Sequence, residues 1–152
     1  MKRYLAPALA YLVPTFMLGY VWHLVLFTGY YERLAMYRHD VVIPLGLASM
    51  AVQSLFFAWI WDRLATKEEI ALWGRTWRYA LFGAVLSWSF TTLAVAAKNV
   101  MSSVGDYLVI ESAFTMTQWV LVAAATFACS ISGANARQYQ PGICARLSTW
   151  SA

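Results

Sequence analysis

The sequence predicts an all-α, polytopic membrane protein, folded as a four-transmembrane-helix antiparallel bundle. Three observations carry this. Of 152 residues, 61% are hydrophobic and 12% charged, against roughly a quarter charged in an ordinary soluble domain. Four apolar stretches each approach or exceed the roughly 20 residues that a helix needs to cross the hydrocarbon core. Polar loops separate these stretches, and their Lys and Arg residues divide unevenly between the two sides.

The first span covers about residues 4–30. From Tyr4 to Tyr31 there is no Asp, Glu, Lys or Arg. Met1-Lys2-Arg3 before an apolar run also resembles a signal peptide, but the run is too long and no small-residue cleavage site comes after it, so an uncleaved helix is expected. Pro7 and Pro14 are placed to kink its first half, since each removes a backbone donor and crowds the preceding turn.

The second span covers about residues 41–61, with Asp40 placed to cap its start and Pro44 in the first turn, where a missing N–H costs little. Trp59 and Trp61, beside Asp62 and Arg63, mark its exit from the membrane. Thr66-Lys67-Glu68-Glu69 then reads as a capping box. It predicts a short interfacial helix carrying Ile70, Trp73 and Trp77 toward the headgroups.

The third span covers about residues 79–97. Gly83, Ser87 and Thr91 recur every four residues along it, a helix-packing stripe that admits close approach of another helix and predicts a central position for this span. The polar turn Ser102-Ser103-Val104-Gly105-Asp106 leads into the fourth span, about residues 107–131, whose one charge is Glu111. Residues 1–131 therefore read as one transmembrane domain. Residues 132–152 are polar, include Gln140-Pro141-Gly142, and predict a flexible cytoplasmic tail.

Basic residues are retained in the cytoplasm. One side collects Lys2, Arg3, Arg63, Lys67, Arg75, Arg78, Arg137 and Arg146, the other Arg33, Arg38 and Lys98. The expected location is a cell inner membrane, with both termini cytoplasmic. The formal charge of +4 is spread over separate loops with no basic run, which argues against nucleic acid as a partner and for contact with membrane lipids. Cys129 and Cys144 supply neither a disulfide framework nor a CxxC metal motif. They read as a span-packing residue and a tail residue.

Ionisable groups within a span cost at least about 2.5 kcal/mol near its centre, so each needs a reason. The candidate polar intramembrane cluster is Glu111, His23, Lys98, Gln118 and Gln53. Depth places His23, Lys98 and Glu111 near the outer leaflet. Gln53 and Gln118 fall mid-span, where they are expected to bond to each other or to the Ser/Thr face of span three. Glu111, Thr115 and Gln118 share one helical face, which should point into the bundle. Ser87, Thr91 and Lys98 can align opposite as a seam opening outward.

Glu111 has three readings: a structural partner of Lys98 or His23 that fixes helix register, a ligand- or proton-binding carboxylate in a partly dehydrated pocket, and a lipid-headgroup contact. His23 reads first as a buried histidine bonded to a neighbouring helix. Haem or metal ligation needs a second donor, and the only other histidine, His39, lies in a loop beside Asp40. Aromatic residues make up 16% of the chain, and many, including Tyr30, Tyr31, Tyr37, Tyr107, Trp59, Trp61, Trp73 and Trp77, fall where spans meet headgroups. Interfacial anchoring accounts for them without a cofactor; lipid, quinone or pigment contact is the minority reading.

Ala97-Lys98-Asn99, followed by Ile110-Glu111-Ser112-Ala113-Phe114-Thr115 and Gln118-Trp119, resembles small four-helix bacterial inner-membrane proteins grouped as domains of unknown function. The resemblance is good over spans three and four and loose over the first two; it implies the fold and carries no activity with it. Small multidrug-resistance transporters also have four short helices, but their carboxylate lies in the first span, where this chain has none.

The favoured function is non-enzymatic: an accessory or scaffold subunit that forms a homo-oligomer or joins a larger membrane complex through its helix faces. The alternative is a small-molecule or proton-coupled transporter or binding protein that uses the Glu-His-Lys cluster. An enzyme ranks third, because no Ser-His-Asp order, HExxH motif, histidine cluster or paired acid site is present.

Overall fold

The computed structural model describes residues 2–36, 42–65 and 70–138. Among them there is no strand. Four helical stretches, Tyr4–Leu26, Ile43–Leu64, Leu72–Lys98 and Val104–Ser132, are long and apolar enough to cross a membrane by length and composition. That is the make-up of a multi-pass membrane protein.

Helix α1 (Lys2–Val21) runs through both Pro7 and Pro14. It passes into a π-helical turn, Trp22–Leu26, in which the Phe27 N–H donates five residues back to the Trp22 carbonyl at 3.0 Å. Such a turn takes one residue more than an α-turn and resets the register of the residues beyond it. Here it precedes the short helix α2 (Thr28–Arg33). The chain then breaks at Ala35, whose φ of 54° is left-handed. Helix ends leave carbonyls without intrahelical partners, and at this one Ser102 supplies them. Its Oγ donates to the Arg33 carbonyl at 2.7 Å and its N–H to the Leu34 carbonyl at 3.1 Å.

Helix α3 (Ile43–Ala65) carries Pro44 in its first turn, as expected; Tyr37, Arg38, His39 and Asp40 lie outside the described residues. Helix α4 (Leu72–Ser87) continues through a second π-turn, Trp88–Leu93, into α5 (Ala94–Lys98). Trp73 and Trp77 thus belong to the start of the third long helix and not to a separate interfacial one. The capping-box residues Thr66–Glu69 lie outside the described residues. Helix α6 (Val104–Gln138) starts where the Ser103 Oγ accepts the Asp106 N–H at 3.2 Å, an N-cap the sequence offers openly. It continues past Ile131, the predicted end of the span.

Helix α6 lies against α1 and α4, while α3 lies against α1 and only lightly against α4. The fourth long helix, rather than the third, is the most buried: 28% of its apolar window against 17% for the third. Two apolar clusters hold the helices. One joins Tyr11, Phe57, Trp61, Tyr79, Ala80, Trp119 and Val122; the other joins Tyr31, Leu34, Tyr107 and Ile110. Trp61, Tyr31 and Tyr107 are therefore core residues, not headgroup anchors, and Cys129 is exposed rather than packed.

The predicted stripe on the third span works inside the chain. Trp119 lays its indole flat on Gly83, where even a Cβ would fall within the ring. Its Nε1 donates to the Ser87 Oγ at 3.2 Å. Around it stand the rings of Phe57 at 4.9 Å, Tyr79 at 5.6 Å and Tyr11 at 5.8 Å. Where both alternatives to a contact are apolar, close van der Waals fit and interhelical hydrogen bonds hold helices together.

Candidate functional site

On α6, Glu111, Thr115 and Gln118 succeed one another at helical spacing, and all three are buried. They form the inward face that their spacing predicts. Across from them, α1 presents Tyr11 and Thr15, also one turn apart and buried. The Tyr11 hydroxyl donates to the Gln53 Oε1 of α3 at 2.7 Å, and Gln118 Nε2 lies 3.5 Å from that hydroxyl and 3.3 Å from the Thr15 Oγ1. Gln53 Nε2 donates in turn to the Ser49 Oγ at 3.1 Å. Gln53 and Gln118 thus meet through Tyr11 of the first long helix. They bond neither to each other nor to the Ser/Thr face of the third.

Glu111 sits above this chain of amides and hydroxyls. The Tyr31 hydroxyl donates to its Oε1 at 2.7 Å. His23 Nδ1 is 3.9 Å from the same oxygen, too long for a hydrogen bond but close enough for electrostatic contact. The imidazole is held between the rings of Tyr31 at 4.8 Å and Phe114 at 4.6 Å. Lys98 is exposed at the end of α5 and takes no part.

These groups border one cavity of about 670 Å³. Glu111, His23, Gln53 and Gln118 all line it, together with Thr15, Ser49, Ser87 and Thr91; most of the remaining lining is apolar. Gly83 and Lys98 are not among its walls. One wall is the start of α3, where residues 42–49 are all exposed and Gly46 has no atom within 4 Å of where a Cβ would stand. A drug-sized ligand site commonly has about 300–1,000 Å³ and a few polar groups converging in an apolar wall. Among the described residues, no three His, Cys, Asp or Glu side chains gather where they could hold a metal ion.

Sequence reasoning missed Tyr11, Thr15 and Tyr31. The first two carried a signal: polar groups at i and i+4 in a span, at the depth of Gln53 and Gln118. Tyr31 carried none, because its inward direction arises from the π-turn and the break before α3.

Tyr31→Phe strands one oxygen of a buried carboxyl. A cost of about 1–3 kcal/mol is expected, read as a lower unfolding temperature in mild detergent; a wild-type melting curve would count against this hydroxyl holding Glu111.

No family model matches the chain, and no curated protein or solved structure matches it.

Proposed function

We propose that the chain is a multi-pass protein of a bacterial inner membrane, folded as a four-transmembrane-helix antiparallel bundle with both termini cytoplasmic, that binds a small molecule in the cavity beneath Glu111. Membrane insertion is supported by the large apolar side chains left exposed along every long helix, among them Val13, Leu45, Val52, Leu55, Leu81, Phe90, Met116 and Val120. Such a surface suits lipid and not water. The orientation rests on the count of basic residues in the loops.

The observation that carries the binding reading is convergence. Three of the long helices send Gln53, His23, Glu111 and Gln118 to one cavity, although polar groups inside a membrane are costly and each alone could have faced a neighbouring backbone. The accessory- or scaffold-subunit reading leaned on the small-residue stripe as a surface for another chain. Gly83 and Ser87 spend that stripe on Trp119 of the same chain, so it no longer speaks for an external partner.

Gly46→Trp tests this without touching the core, because the new side chain projects from an exposed helix position into the cavity. Wild-type protein released from its native membrane is expected to carry a bound small molecule in native mass spectrometry, and the variant to lose it. Identical spectra for the two would refute the proposal.

A further inference from the structure

Taken as the binding site proposed above, the cavity also has a chemical preference. Among the described residues that line it, Glu111 is the only side chain with a full charge; no Lys or Arg is present. Both contacts of this carboxyl, from Tyr31 and His23, fall on Oε1. Oε2 has no hydrogen bond among the described residues, although the side chain is 5% exposed and borders the cavity. One oxygen is anchored and the other is left to a ligand.

Around it the wall is aromatic and aliphatic. Phe16, Tyr20, Tyr107 and Phe114 line the cavity, with Met50 and Val95. Aromatic faces attract cations, more strongly where water is displaced. A ligand bearing a carboxylate or phosphate would meet Glu111 with no described basic group to offset the repulsion. A sugar-like ligand would leave most of its hydroxyls against apolar wall, at a desolvation cost for each. An ammonium group with an apolar body satisfies both parts. Its N–H donors meet the open carboxylate oxygen, and the buried charge is paired rather than isolated.

We propose that the cavity takes a lipophilic amine in its ammonium form, its nitrogen at Glu111 Oε2 and its body among Phe16, Tyr20, Tyr107, Phe114 and Met50. Gln118 and Gln53 mark the far end of the site, where they contact any second polar group on the body.

Three probes sharing one body test this: diphenylpropylamine, diphenylpropanol and diphenylpropanoic acid. Binding of each is measured by equilibrium dialysis to the full chain in lipid nanodiscs, with empty nanodiscs as background. The amine is expected to bind at least about tenfold more tightly than the alcohol, a difference of about 1.4 kcal/mol, and the acid most weakly. Glu111→Gln is expected to erase the preference for the amine while leaving the alcohol unchanged, which also reports that the variant is folded. Gly46→Trp is expected to block both. Equal or tighter binding of the alcohol or the acid overturns the amine assignment, as does an amine preference that survives Glu111→Gln. Should that variant not purify, the wild-type ranking decides alone. Binding that Gly46→Trp blocks but that shows no amine preference leaves the small-molecule reading standing and removes only this inference. If no probe shows binding sensitive to Gly46→Trp, both fall.

Discussion

Gly83→Ala is expected to destabilise the protein by about 1–3 kcal/mol, although alanine is the better helix former. Two effects oppose each other. Replacing glycine within a helix gains up to about 1 kcal/mol of intrinsic propensity. Against that, the added methyl would fall within the Trp119 indole, and this ring cannot swing aside. It is 2% exposed, ringed by Tyr11, Phe57 and Tyr79, and tied through Nε1 to Ser87. Close-packed interiors answer such an insertion by shifting backbone or forcing poor rotamers, so overlap wins.

Gly46→Ala provides the contrast. The new methyl there meets nothing within 4 Å, and the propensity gain should stand alone. Melting temperatures in one detergent should therefore move in opposite directions for the two substitutions. Trp119→Leu combined with Gly83→Ala should cost less than the sum of the single changes, because the smaller side chain vacates the space the methyl needs. Strict additivity in that cycle would mean the two residues do not compete.

Tyr11→Phe is the second large effect, again expected at about 1–3 kcal/mol. Removing one oxygen takes away a donor to Gln53 Oε1 and an acceptor for Gln118 Nε2. Interhelical hydrogen bonds in membrane proteins average only about 0.6 kcal/mol, so a single lost bond would be minor. Here two amides from two helices lose a shared partner, and Gln118 is 6% exposed, with little access to a replacement.

Tyr79→Phe is the matched control. Its ring belongs to the same cluster and is 0% exposed, yet its hydroxyl has no hydrogen-bond partner among the described residues. Deleting an unsatisfied buried hydroxyl should be neutral or slightly stabilising. Comparable losses for the two variants, read by thermal unfolding in the same detergent, would refute the account of Tyr11 as a bridge.

The four long helices were legible in the chain because a run such as Tyr4 to Tyr31 without a formal charge leaves few alternatives. Helical spacing alone put Glu111, Thr115 and Gln118 on the buried face. Partnership was beyond the reach of spacing. Lys98 looked like the natural counter-ion of Glu111 because both sit at span ends, yet α5 leaves it exposed while Tyr31, read as an anchor, reaches the carboxyl. Sequence distance carries no information on this contact: it depends on how the chain leaves the first long helix and on Ser102 clasping the end of α2. The small-residue stripe was visible too, but its partner was not, since Trp119 could equally have faced lipid.

The two π-turns matter beyond local geometry. Each lets the chain hold one residue more than a plain α-helix of the same length, a form in which a single-residue insertion can persist without destroying the helix. Loss of one residue from 22–26 would leave an unbroken helix, but everything after it would rotate by about 100°. Tyr31 would then turn away from Glu111. A length change of one at this point would leave the chain able to insert and fold while dismantling its binding site. Divergent copies of this architecture could switch between ligand-binding and purely structural members by that one step.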